Sequence, residues 1–141
     1  MRERALILVV EDNPANQMLT SAVIEREGYQ FELAASAVEA LHLIAAHSPD
    51  LILMDLQLPG LDGLSFARAL RSAPETAAIP VVALTAHVMA GDREQALAAG
   101  CVGYIPKPIN TRTFGEQLRA FLPQLIGGAD PAENVTTQED R

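Results

Sequence analysis

Asp50-Leu51-Ile52-Leu53-Met54-Asp55 decides the fold. An apolar run between two aspartates, with Pro49 before it and Leu58-Pro59-Gly60 after it, reads as a strand buried on both faces. Strands of that kind belong to parallel sheets covered by helices, and such sheets keep their ligands where the strands end. Asp55 stands at that end, so it is the first candidate for a reactive group.

Towards the N-terminus, Ala5-Leu6-Ile7-Leu8-Val9-Val10 is a second buried-strand run, and it leads into Glu11-Asp12-Asn13-Pro14. Asn13 suits an N-cap, and Pro14 suits the first helical position because its missing N–H would be unpaired there anyway. Ala15, Met18, Leu19, Ala22 and Val23 then recur with helical spacing and predict the inward face of a first helix, closed by Gly28. Tyr29 to Ala35 is a shorter, more polar strand. Ser36 caps a second helix with Ala37, Ala40, Leu41, Ile44 and Ala45 on its apolar side.

Towards the C-terminus, Asp62 caps a third helix that turns Phe66, Ala67 and Leu70 inward. Ile79 to Leu84 forms a fourth strand and brings Thr85 to the same rim as Asp55. A fourth helix, about Ala90 to Ala99, has Leu97 as its one large core residue, with Gly100 behind it. Gly103-Tyr104-Ile105-Pro106 is a fifth strand before Lys107-Pro108, and Phe114, Leu118, Phe121, Leu122 and Leu125 line a last helix. Strands alternating with helices demand an α/β fold, a five-stranded parallel sheet with right-handed crossovers between two helix layers. Pro106 cannot donate to a ladder, so its strand belongs at an edge. The polar second strand suits the other edge, and the order becomes 2-1-3-4-5.

The chain has 141 residues, 49% of them hydrophobic, enough for one domain with a real core. That domain is expected over residues 1–126, followed by a disordered acidic tail at 127–141 that is rich in Gly, Asp, Glu and Thr. A net charge of -8 argues against nucleic-acid binding and against attraction to an anionic membrane. No apolar stretch approaches the roughly 20 residues that span a bilayer, and the N-terminus lacks the pattern of a signal peptide. Cys101 is the single cysteine and cannot form an internal disulfide, which suits a cytoplasmic protein, and it reads as buried filler. His42 and His47 read as exposed helix residues, and neither they nor His87 show a partner pattern.

The strand ends deliver Glu11 and Asp12, Asp55, Thr85 and Lys107 to one rim. Crowded carboxylates repel one another, and a hard divalent cation removes that cost. Mg²⁺ fits better than Zn²⁺, because the ligands are all oxygen and no His or Cys stands at ligand spacing. The backbone carbonyl of Gln57 is the natural further ligand. A carboxylate can also attack phosphorus and become an aspartyl-phosphate. Mg²⁺, the Lys107 ammonium and the Thr85 hydroxyl would then each hold one equatorial oxygen, with the small Ala86 leaving room. Each residue alone has an ordinary explanation. Glu11-Asp12 would complement the first helix dipole for about 0.3–1 kcal/mol, Asp55 would sit in a turn, and Thr85 and Lys107 would be common surface groups. Their arrival together at successive strand ends is what the ordinary roles leave unexplained.

These residues resemble the receiver domain of two-component response regulators. The resemblance runs from about Ala5 to Gln124. It rests on Val9-Val10-Glu11-Asp12-Asn13, the Asp50–Asp55 run, Leu58-Pro59-Gly60-Leu61-Asp62-Gly63, Leu84-Thr85-Ala86 and Tyr104-Ile105-Pro106-Lys107-Pro108. The wording is most similar to hybrid-kinase receivers and single-domain cell-division regulators. The order 2-1-3-4-5 is the flavodoxin-like order of that family.

The resemblance implies Asp55 as phosphoacceptor, Glu11 and Asp12 as positioners of Mg²⁺, and Lys107 as the phosphoryl binder, with a cis bond to Pro108. Thr85 and Tyr104 would be the switch pair, Tyr104 turning inward as Thr85 moves to the phosphate. That movement would repack the surface of the fourth helix, fifth strand and fifth helix. Gln57 and His87 would tune the phosphate lifetime. Glu11 replaces a commoner Asp but is frequent in this subfamily.

The leading reading is therefore a signalling switch that takes a phosphoryl group from a phosphohistidine on a histidine kinase or a phosphotransfer protein, and not an enzyme with an external substrate. The donor is expected at the exposed side of the first helix, Asn16, Gln17 and Thr20, and at the loop after Lys107. The protein would signal through a downstream protein target, as a monomer or weak dimer with no output domain, either as a stand-alone regulator or as an excised receiver. One alternative is a Mg²⁺-dependent aspartyl-phosphate hydrolase, disfavoured because Leu56 and Gln57 stand where its acid–base residue belongs. The other is a phosphorylation-independent binding scaffold.

Overall fold

The computed structural model describes residues 4–58, 62–86 and 91–122. In chain order it contains β1 (Leu6–Val10), α1 (Pro14–Arg26), β2 (Gln30–Ala34), α2 (Ala37–Ala46), β3 (Leu51–Asp55), α3 (Gly63–Ser72), β4 (Val81–Thr85), α4 (Asp92–Ala98), β5 (Gly103–Pro106) and α5 (Phe114–Phe121). The strands are all parallel, in the order β2-β1-β3-β4-β5. Pro106 lies on an edge strand, opposite Thr85. Its missing N–H is not needed there, as the sequence required. His87, Leu125 and the tail expected at 127–141 lie outside the described residues.

Two apolar layers flank the sheet. Ile7, Val9, Leu51, Leu53, Leu84 and Ile105 pack with Val23 and Ile24 of α1 and with Phe114 and Leu118 of α5. Leu8, Val10, Ile52, Met54 and Ala83 pack on the other side with residues of α2, α3 and α4. The alternation follows from the two-residue period of a strand. β1, β3 and β4 are buried along their whole length, which is why their sequences read as unbroken apolar runs.

The expected caps form. Asn13 is extended, and its side chain accepts from the Asn16 N–H at 3.0 Å, with Pro14 opening the helix. The Ser36 hydroxyl accepts from the Glu39 N–H at 3.2 Å. Asp62 accepts from the Ser65 hydroxyl and the Leu64 N–H, bonds that hold its exposed carboxyl below the usual range. That cap is fully present above the unfolded carboxylate pKa and is lost as pH falls through the lowered folded value. Gly28 has φ +89, a left-handed conformation that other residues adopt at a cost. A Cβ on Gly63 would lie 2.7 Å from the Leu56 Cα, so only glycine lets α3 start this close to the turn after Asp55.

Helix faces depart from the expected pattern. In α1 the buried residues are Thr20, Val23 and Ile24, whereas Met18 is 73% and Leu19 38% exposed, and Ala15 and Ala22 face outward. The helix is turned so that its branched residues meet the sheet and Gln17 reaches back to Glu11, just past the end of β1. In α2, Ala40 and Ile44 are buried while Leu41 and Ala45 are exposed. The described part of the fourth helix spans Asp92–Ala98, and Ala96 and Ala99 face the core instead of Leu97, because small residues let this short helix lie close to the sheet. His47 ends α2, exposed as expected, but with its Nδ1 3.0 Å from a Glu32 carboxylate oxygen.

Cys101 is buried, and burial pushes its thiol up to about 11. Alkylation by iodoacetamide at pH 8 is therefore expected to be at least about a hundredfold slower in the native protein than in urea. Equal rates in the two conditions would show that the thiol is open to solvent.

Candidate functional site

The site grows from strand alternation. Val9, Leu53 and Ile105 point to the layer shared with α1 and α5. Two residues on, Glu11, Asp55 and Lys107 continue that side at the carboxyl ends of β1, β3 and β5. Glu11 is 1% and Asp55 2% exposed, unusual burial for carboxylates, which need partners there.

Those partners are specific. The Lys107 ammonium donates to Glu11 Oε1 at 3.2 Å and to Asp55 Oδ2 at 3.1 Å. The Gln57 N–H donates to Asp55 Oδ1 at 2.9 Å, and the Asn13 N–H donates to Glu11 Oε2 at 3.1 Å. Burial works against the Lys107 charge, but the bonds and charges of Asp55 and Glu11 outweigh it and hold its pKa above the usual value. The contribution of this charge to stability is thus fully present below the unfolded lysine pKa and is lost only as pH rises through the folded one.

Glu11, Asp12 and Asp55 each place a carboxylate oxygen within 4.8 Å of the others, with Asp12 exposed at the mouth. The three carboxylates against one ammonium leave an excess of negative charge around an all-oxygen donor set. Such a set fits a hard divalent cation of the Mg²⁺ type. Gln57 lies in the turn that follows, after Leu56, where its carbonyl was expected as a further ligand.

Thr85 is buried at the end of β4 and lines a small cavity of about 180 Å³ with Leu56, Gln57, Asp62, Leu64, Asp92 and Gln95. Its place in the strand puts it on the opposite sheet face from Asp55, with Ala83 and, diagonally on β5, Tyr104. Tyr104 is partly buried against that layer. The Lys107–Pro108 bond is cis.

Two features were not legible in the sequence. The Gln17 side chain donates to the Glu11 carbonyl at 2.6 Å, fixing the start of α1 against the acidic rim. The Gln57 side-chain oxygen accepts from the Ala86 N–H at 3.4 Å. A glutamine one helical turn beyond an acidic strand end was the only available hint of the first. The second depends on loop geometry that has no sequence pattern. The face expected to meet a donor is corrected: Thr20 is buried and Gln17 is occupied, so Asn16, Gln17 and Thr20 do not form an exposed patch.

Residues 7–119 match the model of the response regulator receiver domain. The polar-differentiation response regulator DivK of Brucella ovis is 43% identical over 116 residues, covering 82% of this chain and 94% of that protein. The receiver domain of the Pseudomonas aeruginosa sensor histidine kinase PA1611, with a magnesium ion coordinated in its active-site cleft, is 37% identical with a TM-score of 0.76, covering 85% of this chain and 98% of its own. The receiver domain of Ssk1, in complex with the Saccharomyces cerevisiae histidine phosphotransfer protein Ypd1, is 30% identical with a TM-score of 0.74, covering 84% of this chain and 88% of that one.

Proposed function

This chain belongs to the response regulator receiver family, and from that premise we propose that Asp55 is the phosphoacceptor of a Mg²⁺-dependent switch. As a receiver domain of two-component signalling it is a signalling protein rather than an enzyme with an external substrate. The observation that carries the assignment is Asp55 itself, buried, with one oxygen on Lys107 and the other on the Gln57 N–H, beside Glu11 and Asp12. The receiver unit occupies residues 1–126, in the cytoplasm. No helix among the described residues is long and apolar enough to cross a membrane.

Glu11, Asp12, Asp55 and the Gln57 carbonyl would hold Mg²⁺, as the charge excess and oxygen donors favour. The ion supplies charge neutralisation for the phosphoryl oxygens. An Asp55 oxygen attacks the phosphorus of a partner phosphohistidine, the N–P bond breaks, and the imidazole nitrogen leaves with its electron pair and takes up a proton. Lys107 moves from pairing a carboxylate to pairing a phosphoryl oxygen, and the Thr85 hydroxyl holds another. The same groups position water when the acyl phosphate is later hydrolysed, so the chain promotes both halves of its own cycle. Thr85 and Tyr104 share one sheet face, which supports their role as the switch pair. A near-complete swing between states requires a bias of about 5.5 kcal/mol.

The donor is a histidine kinase or phosphotransfer protein, the class of partner found with the Ssk1 receiver. Its docking surface includes the outward side of α1, where Met18 and Leu19 forgo burial. Incubation with Mg²⁺ and acetyl phosphate should add one phosphoryl group to the wild type, as read by intact mass. The group should be absent from Asp55→Ala and after chelation of the metal. Persistent adduct on Asp55→Ala would place the acceptor elsewhere, and donor consumption without an adduct would favour a hydrolase.

A further inference from the structure

We infer that the Gln57 side chain is an internal stand-in for a phosphoryl oxygen, occupying the Ala86 N–H until transfer displaces it. The inference rests on Asp55 as acceptor and concerns how the same site is kept closed. Gln57 is tied to both sides of the gap: its N–H donates to Asp55 Oδ1 at 2.9 Å, and its side-chain oxygen accepts from the Ala86 N–H at 3.4 Å. The amide therefore bridges from the turn after β3 to the residue that follows β4, and Gln57 and Thr85 also line one cavity.

A phosphoryl group on Asp55 carries three strong acceptor oxygens with several lone pairs each, so there is room for a backbone donor beside Lys107, the Thr85 hydroxyl and a cation. The Ala86 N–H is the backbone donor that follows Thr85 at that rim, and its present acceptor is a neutral amide oxygen. A phosphoryl oxygen is the better acceptor because it is charged. At 3.4 Å the existing bond is longer than the usual 2.9–3.0 Å of an N–H···O bond, so it is weak and readily exchanged. Gln57 thus raises a low barrier to loading.

Gln57→Met keeps the length of the side chain and the backbone carbonyl while removing the acceptor, and Gln57→Ala removes the bulk as well. Two readings decide the inference: the phosphorylation rate with acetyl phosphate and Mg²⁺, and the Ala86 amide signal in the unphosphorylated protein. Both variants should load about two- to fivefold faster than wild type. The Ala86 amide should shift and exchange faster with solvent in both before any phosphoryl donor is added. Faster loading by Gln57→Ala alone would make Gln57 a steric plug and overturn the stand-in. An altered Ala86 signal with unchanged rates would make the contact structural only, and overturn it too. A wild type that takes up no phosphoryl group would overturn the acceptor reading itself, whatever the Ala86 signal does.

Discussion

Lys107→Ala is expected to destabilise the metal-free protein by roughly 2–4 kcal/mol and to make its stability depend strongly on Mg²⁺. Lys107 bridges two nearly fully buried carboxylates, Glu11 and Asp55. Removing one partner of a buried ion pair strands the other charges in a poorly solvating place, at a typical cost of about 3–5 kcal/mol. The lower range applies because the Lys107 side chain keeps 16% exposure. A divalent cation restores the lost neutralisation and no longer competes with an ammonium for the same oxygens. Saturating Mg²⁺ should therefore raise the urea midpoint of the variant more than that of the wild type, while phosphoryl uptake from acetyl phosphate falls steeply. Equal midpoints of the two proteins in chelator would show that the Lys107 pairs add nothing net, and that Glu11 and Asp55 are neutralised or solvated by some other route.

Phe114→Ala is expected to cost about 3–5 kcal/mol, the range for removing a buried aromatic side chain from a packed core. Phe114 is completely buried at the start of α5 and joins that helix to the layer under β1, β3 and β4. A loss of this size is a large share of the roughly 5–15 kcal/mol that holds a domain together. The urea midpoint should drop with little change in slope. Phe121→Ala, at a partly buried position one helix end away, is the control and should lose clearly less. Similar losses at both positions would mean that the core does not depend on the packing of Phe114.

Much of the fold was legible because the physical constraints were local. Pro106 and the polar second strand fixed the edges, and with them the strand order. Asn13-Pro14, Ser36 and Asp62 announced helix starts through hydrogen-bonding capacity alone. The acidic rim was legible because strand ends converge in any parallel sheet. The orientation of α1 was not, for Met18 and Leu19 fit the helical period of a buried face and yet stand in solvent. Periodicity reports which residues share a side, not whether that side meets the sheet; the Gln17 bond to the Glu11 carbonyl helps settle that, and it forms only in the folded chain. Leu97 misled for a related reason, since Ala96 and Ala99 are the residues that let α4 approach. The contact between Gln57 and Ala86 joins two loops 29 positions apart, where no sequence period reaches.

The division of the rim between two sheet faces has a consequence for how such a protein can be rewired. Glu11, Asp55 and Lys107 stand on the α1 and α5 side, whereas Thr85 and Tyr104 stand on the α4 side. Under the proposed function the sheet is a partition, with the addressing of the input on one side and the broadcasting of the result on the other. Substitutions that re-address one side need not garble the message sent from the other. On that reading partners on the two sides can be exchanged independently, while the few residues at the top of the partition stay as the shared relay.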